Sequence, residues 1–97
     1  MIAEKDGVRY IVEVKDWNAW NFSQGIQDRR IEALRNQVQA YAEYARHLGA
    51  TTGQVHKFRL HFHHFPRQGD TSRLSQTLRE LLEGNRDVLE ITGVALP

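Results

Sequence analysis

The chain has no cysteine. That excludes a disulfide framework, a zinc ribbon and a cysteine nucleophile, and it leaves a reducing compartment open. Excess charge of either sign is also missing. With 13 Lys and Arg against 12 Asp and Glu, the formal net charge is +1, so no global field draws the chain onto nucleic acid or an anionic membrane. Any such contact has to come from local clusters. No apolar run approaches the roughly 20 residues of a membrane span, and the first residues lack the basic and apolar zones of a secretory signal. No repeat, linker or low-complexity tract interrupts the 97 residues, a length that supports one small core. The expectation is a single soluble domain.

What is present is a series of short periodic segments. Residues 1–5 and 8–15 read as extended runs separated by Asp6-Gly7, the two-residue turn chemistry of a β-hairpin. Residues 16–27, with two Trp, three Asn or Ser and a Gly, read as a loop. From about residue 28 to 48, Ile31, Leu34, Val38, Tyr41, Ala45 and Leu48 recur at three and four, the stripe of an amphipathic helix, and Gly49 suits its C-terminal stop. Over residues 55–65, Phe58, Leu60 and Phe62 alternate with Arg59, His61 and His63 as in a half-buried strand, which Pro66 ends. Asp70 or Ser72 could cap a second helix with Leu74, Leu78, Leu81 and Leu82 on one face, ending near Gly84 and Asn85. Residues 88–92 then form a short last strand. The order β-β-α-β-α-β predicts an α/β fold, a mixed central sheet flanked by helices.

The candidate site is the run Glu13-Val14-Lys15. Side chains two apart on a strand share a face, so Glu13 and Lys15 project together while Val12 and Val14 are expected to turn away into packing. A carboxylate beside an ammonium is suited to holding a metal and a water against a phosphate. Alternating charged and apolar residues also describe any strand with one wet face. The segment Tyr10-Ile11-Val12-Glu13-Val14-Lys15-Asp16-Trp17, then a helix containing Gln37-Val38-Gln39-Ala40-Tyr41, then a strand ending at Pro66, resembles the PD-(D/E)xK nuclease superfamily, whose fold is that of restriction endonucleases. Within it, the E-V-K-D-W run and the Arg-rich helix start are most similar to the restriction-endonuclease-fold toxin domains at the C-termini of bacterial polymorphic toxins. The Gln37-to-Tyr41 spacing is similar to the accessory motif of the RecB-type branch. The resemblance spans about residues 7–66, roughly two thirds of the chain, and each motif is short.

The resemblance implies a partial restriction-endonuclease-like fold that hydrolyses DNA phosphodiesters with Mg²⁺ or Mn²⁺. Glu13 and the backbone carbonyl of Val14 would hold the metal, Lys15 would position the nucleophilic water or neutralise the phosphorane, and Gln37 would orient Lys15 or a water. In the toxin setting the partner is a cognate immunity protein, and the place of action is the cytoplasm of a rival cell. One departure stands out: the superfamily's other ligand, an Asp on the preceding strand, has no counterpart here. With Asp6-Gly7 as the turn, Lys5 pairs with Val8, Glu4 with Arg9, Ala3 with Tyr10, Ile2 with Ile11 and Met1 with Val12, so the position opposite Glu13 lies one residue ahead of Met1. Two readings follow. Either the chain is the C-terminal portion of a larger protein that supplies the acid, or Glu4 or Asp6 serves through another register. A single carboxylate holds Mg²⁺ weakly, so on either reading these residues alone are expected to fall short of catalysis. The alternative from another class is a non-catalytic remnant of the fold, a DNA- or protein-binding or assembly module.

For DNA contact the candidates are Arg29 and Arg30 at the start of the helix, where the macrodipole disfavours cations, and Trp17, whose ring could stack on a base. Trp20 offers a second ring for stacking or packing. An Arg29–Glu32 pair is the plainer use of the first arginine. Arg35 and Arg46 read as surface charges and Tyr41 as core. His61 and His63, with His56 and His64 nearby, form the rival metal pair, for which no third ligand has convincing spacing. Exposed sheet edges and uncovered Leu or Val faces suggest a homodimer.

Overall fold

The computed structural model describes residues 2–16, 24–63 and 72–94. Asp6 and Gly7 take φ of 54° and 79°, the left-handed pair of a type I′ turn. They join β1 (Ile2–Lys5) to β2 (Val8–Asp16) antiparallel, with Lys5 opposite Val8, Glu4 opposite Arg9, Ala3 opposite Tyr10 and Ile2 opposite Ile11. This is the register expected from a two-residue turn.

Helix α1 (Gln24–Thr52) is longer than its periodic stripe at both ends. Gly49 lies inside it. The stop falls instead at Gly53, where φ is 74° and the N–H donates to the Gly49 carbonyl at 3.1 Å, a left-handed cap that only Gly adopts without strain. The hydroxyls of Thr51 and Thr52 donate back to the carbonyls of His47 and Leu48, the four-residue back-bond that Thr makes onto carbonyls already within the helix ladder.

β3 (His56–His63) follows parallel to β2, and after α2 (Ser72–Gly84) the chain adds β4 (Leu89–Thr92) parallel to β3. The sheet runs β1-β2-β3-β4. Both crossovers therefore step the same way across the sheet, and two crossovers of one hand lay both helices on one face. The core shows this arrangement. Ile31, Leu34 and Val38 of α1 and Leu74, Leu78 and Leu81 of α2 close over Phe58, Leu60, Phe62 and Leu89. The sheet is mixed and packed by helices, as the element order suggested, and among the described residues both helices lie on one side of it. Gly93 ends β4 at φ 81°, with its ideal Cβ 2.0 Å from the Phe62 carbonyl oxygen, so a side chain there would collide with β3.

Arginines tie the helical layer together. Arg35 of α1 donates to Thr77 and Glu80 of α2, Arg73 of α2 pairs with Asp28 of α1, and Arg46 donates to both Asp87 oxygens and to Asn85. Arg35 and Arg46 are thus clasps, not the plain surface charges expected. Their partners are 39 to 45 positions away, beyond any local sequence signal. The Arg46 hydrogen bond holds the Asp87 carboxyl below its ordinary range, and the Arg35 bond does the same for Glu80. Among the described residues no helix is long and apolar enough to cross a membrane.

Candidate functional site

The parallel register puts Glu13 opposite Leu60 and Lys15 opposite Phe62. Neighbouring residues in a sheet share a face, so Glu13 and Lys15 point toward the helices. The expected sidedness is reversed: Val14 is 52% exposed on the open face, while the charged pair sits on the packed one. The cause is the phase of β3, whose Phe58, Leu60 and Phe62 fix which face is core. Lys15 Nζ lies 3.5 Å from Glu13 Oε1, the two side chains 21% and 35% exposed. They are shielded from water without being sealed from it.

Gln37 approaches this level from above. A helix linking parallel strands returns antiparallel to them, and Tyr41 marks its height by stacking on Phe58, ring centroids 4.8 Å apart. Ile11 is the partner of Phe58 in β2. One turn back along α1 from Tyr41 is about 6 Å, and from Ile11 to Glu13 is about 6.6 Å in the same sense. Gln37 is half-buried and stands at the height of Glu13. Tyr41 belongs to the core, as expected.

The backbone of β2 adds a polar group. A two-residue hairpin makes Lys5 and Val8 a hydrogen-bonded pair, and an antiparallel ladder alternates from there. Val8, Tyr10, Val12 and Val14 therefore turn their N–H and C=O toward the β1 side, and Arg9, Ile11, Glu13 and Lys15 toward β3. Donation from the Arg9 N–H to the Val55 carbonyl at 3.0 Å agrees. Among the described residues β1 pairs with β2 as far as Ile11. The Val14 carbonyl thus points to the β1 side, away from β3, beside the charged pair.

The other candidates separate from this cluster. Arg29 and Arg30 are exposed on α1, but the helix begins at Gln24, so they stand in its second turn, where the macrodipole no longer explains or opposes them. No ion pair joins Arg29 to Glu32 among the described residues. Trp17, Trp20 and His64 lie outside the described residues. His61 is on the open face, Nδ1 2.8 Å from Thr92 Oγ1, and His63 shares that face by alternation. His56 is buried on the helix side, its Nδ1 2.7 Å from the Gln54 carbonyl, so it cannot join them in one site. Among the described residues no three His, Cys, Asp or Glu side chains converge on a metal position. Alternation had hidden a further contact on the open face, where the Arg59 guanidinium covers the Tyr10 ring at 4.3 Å and pairs with Glu90 at 3.0 Å.

Comparison with protein-family models, curated proteins and solved structures gives no match to this chain.

Proposed function

We propose that this chain is a nuclease-like domain that cuts DNA phosphodiesters with a divalent cation, Mg²⁺ or Mn²⁺, in the manner of the restriction-endonuclease-like fold. One observation carries the reading. An ordinary amphipathic strand turns its charges to water and its valines to the core; β2 does the reverse, holding Glu13 and Lys15 on the helix-covered face at 3.5 Å and leaving Val14 exposed. A half-buried ion pair adds little stability, so its placement favours a chemical use.

Glu13 and the outward carbonyl of Val14 are two hard oxygen donors next to each other, the type of ligand Mg²⁺ takes. They fit the group in part, since the cation takes about six oxygens, the remainder coming from water, the phosphate and a second carboxylate. When bound, it would polarise the phosphate and acidify a water. Lys15 neutralises negative charge on the phosphate and holds the water by hydrogen bond, and Gln37, which both donates and accepts, orients that ammonium. Arg29 and Arg30, exposed on α1, contact the DNA backbone as point charges, with Trp17 as the stacking residue. The setting is the toxin domain of a bacterial antibacterial effector, with an immunity protein as its partner.

Nicking of supercoiled plasmid in Mg²⁺ by the full-length protein tests this. Lys15→Ala is expected to lose about a hundredfold or more in rate. Equal nicking by both proteins removes Lys15 from the mechanism, and no nicking by either favours the second reading, a non-catalytic DNA- or protein-binding module. That second reading draws on the lack of three converging metal-ligating side chains among the described residues.

A further inference from the structure

β3 lies inside the sheet, between β2 and β4, and its two faces differ in what covers them. On the helix side Phe58, Leu60 and Phe62 are buried. On the other side Lys57 and Arg59 keep 30% and 34% of their side chains exposed, and Val14, on the same face of β2, is 52% exposed. This open face is charged and not apolar. Tyr10 is the β2 partner of Lys57, and Val8, two residues before it, is the partner of Lys5 in β1, so alternation gathers Lys5, Lys57 and Arg59 around one ring. The Arg59 guanidinium lies over that ring, 4.3 Å from its centre.

Charge and shape on this face fit one kind of ligand. Lys57 and Arg59 turn to a single acid, Glu90, at 3.9 and 3.0 Å, so the cations around the ring outnumber the carboxylate they meet there. Asp16, the further acid of the face, stands at the far end of β2 opposite His63. Arg59 is fixed from two directions, by the ring beneath it and by two hydrogen bonds to one Glu90 oxygen beside it. A guanidinium held in this way keeps its charge and its plane in one place, ready for a second flat group to settle on it. We infer that the open face of the sheet binds single-stranded nucleic acid, with a base stacked on the Arg59–Tyr10 pair and the phosphates of the strand on Lys5 and Lys57. An unpaired base offers a free π-face, and its backbone supplies the negative charge that the lysines need. A duplex keeps its bases stacked inside, and an acidic peptide brings charge without flat groups, so either would leave the central pair unused.

Binding at this face needs neither metal nor cleavage, so it is measured apart from the nuclease reading, in EDTA, by the fluorescence anisotropy of a short labelled thymidine oligonucleotide with the full-length protein. Saturable binding is expected, with affinity falling as salt rises at a log–log slope of about −1.5 to −2 for two or three phosphate contacts. Arg59→Lys keeps the charge and gives up the plane, and Tyr10→Leu keeps the bulk and gives up the ring; each should weaken binding about tenfold. Glu90→Gln removes the acid that the two cations share and should tighten binding severalfold, an effect that a purely structural carboxylate would not have. Arg79→Ala removes an exposed cation from α2, on the helix side, and should leave affinity unchanged, with circular dichroism checking the fold of every variant. Absence of binding overturns the inference. So does parental affinity in both Arg59→Lys and Tyr10→Leu, or equal affinity for a duplex of the same length. Displacement of the oligonucleotide by polyglutamate as readily as by unlabelled strand overturns it too, and assigns the face to an acidic protein.

Discussion

β2 and β3 lie side by side in parallel register from Arg9 opposite His56 to Asp16 opposite His63, and they turn matching residues toward the same helices. β3 sends Phe58, Leu60 and Phe62, all 2% exposed or less. β2 sends Ile11, Glu13 and Lys15. At the level of Phe58 the core reaches across both strands, since Ile11 packs against it; two residues further it stops at β3 and gives way to charge. The core is thus centred on β3, where α1 and α2 converge, and the distal half of β2 is its rim. Adjacent positions on one surface are held there for different reasons, and substitutions should separate them.

The largest difference is expected from truncating matched neighbours. Leu60→Ala removes a fully buried side chain under two helices and should cost about 3 kcal/mol of unfolding free energy. Glu13→Leu, one strand over at the same level, replaces half of a partly exposed ion pair by an apolar group and should change stability by less than about 1 kcal/mol in either direction. Urea denaturation of both variants measures the contrast. Equal losses would mean that Glu13 is as much a part of the packing as Leu60, and the chemical use proposed for it would lose its main support.

A smaller effect sharpens the same contrast from the side of the helical layer. Arg46 lowers the Asp87 carboxyl by hydrogen bonding, and Arg35 lowers that of Glu80. A carboxylate whose folded value is depressed contributes stability at every pH above its unfolded value, near 3.8 for Asp87, and loses it as pH falls through the folded value. Thermal stability should therefore be flat between pH 7 and 5 with respect to these groups and fall below about pH 4. Asp87→Asn should lower stability at pH 7 by about 0.5–1 kcal/mol, a figure kept small by its solvent exposure, and flatten part of the acid limb. An unchanged acid limb in that variant would assign the loss to other carboxylates.

Much of this architecture was legible because its signals are local. Asp6-Gly7 specified a hairpin and its register, Leu74, Leu78 and Leu81 specified the α2 stripe, and alternation specified β3. The sidedness of β2 was not legible. Its alternation gives two faces, and which of them is buried is decided by the phase of β3 in the parallel pair, a contact some 47 positions away between Glu13 and Leu60. The end of α1 was misplaced because Gly49 looks like a stop locally, whereas the helix continues to Thr52 and Gly53 supplies the left-handed residue. The Arg35 and Arg46 clasps depend on two helices meeting, which no spacing in the chain announces. At the site, Glu13, Val14 and Lys15 were legible as a group from the strand period; the direction of the Val14 carbonyl, away from β3, needed the ladder of the hairpin and the Arg9 bond to Val55.

The smallest expected effect on stability lies at Gln37, and it is the most discriminating for the proposed chemistry. Gln37 shares the height of Glu13 but sits on the helix, half-buried, next to core positions Leu34, Val38 and Tyr41. If it serves packing, Gln37→Leu should hold or raise stability and leave plasmid nicking unchanged. If it orients the Lys15 ammonium, the same substitution should leave stability within about 0.5 kcal/mol and lower nicking about tenfold, with Gln37→Glu shifting the pH profile of the reaction by placing a second carboxylate near that ammonium. A Gln37→Leu protein that nicks at the parental rate would confine the working part of the site to β2, and the helix would then matter to it only as a roof.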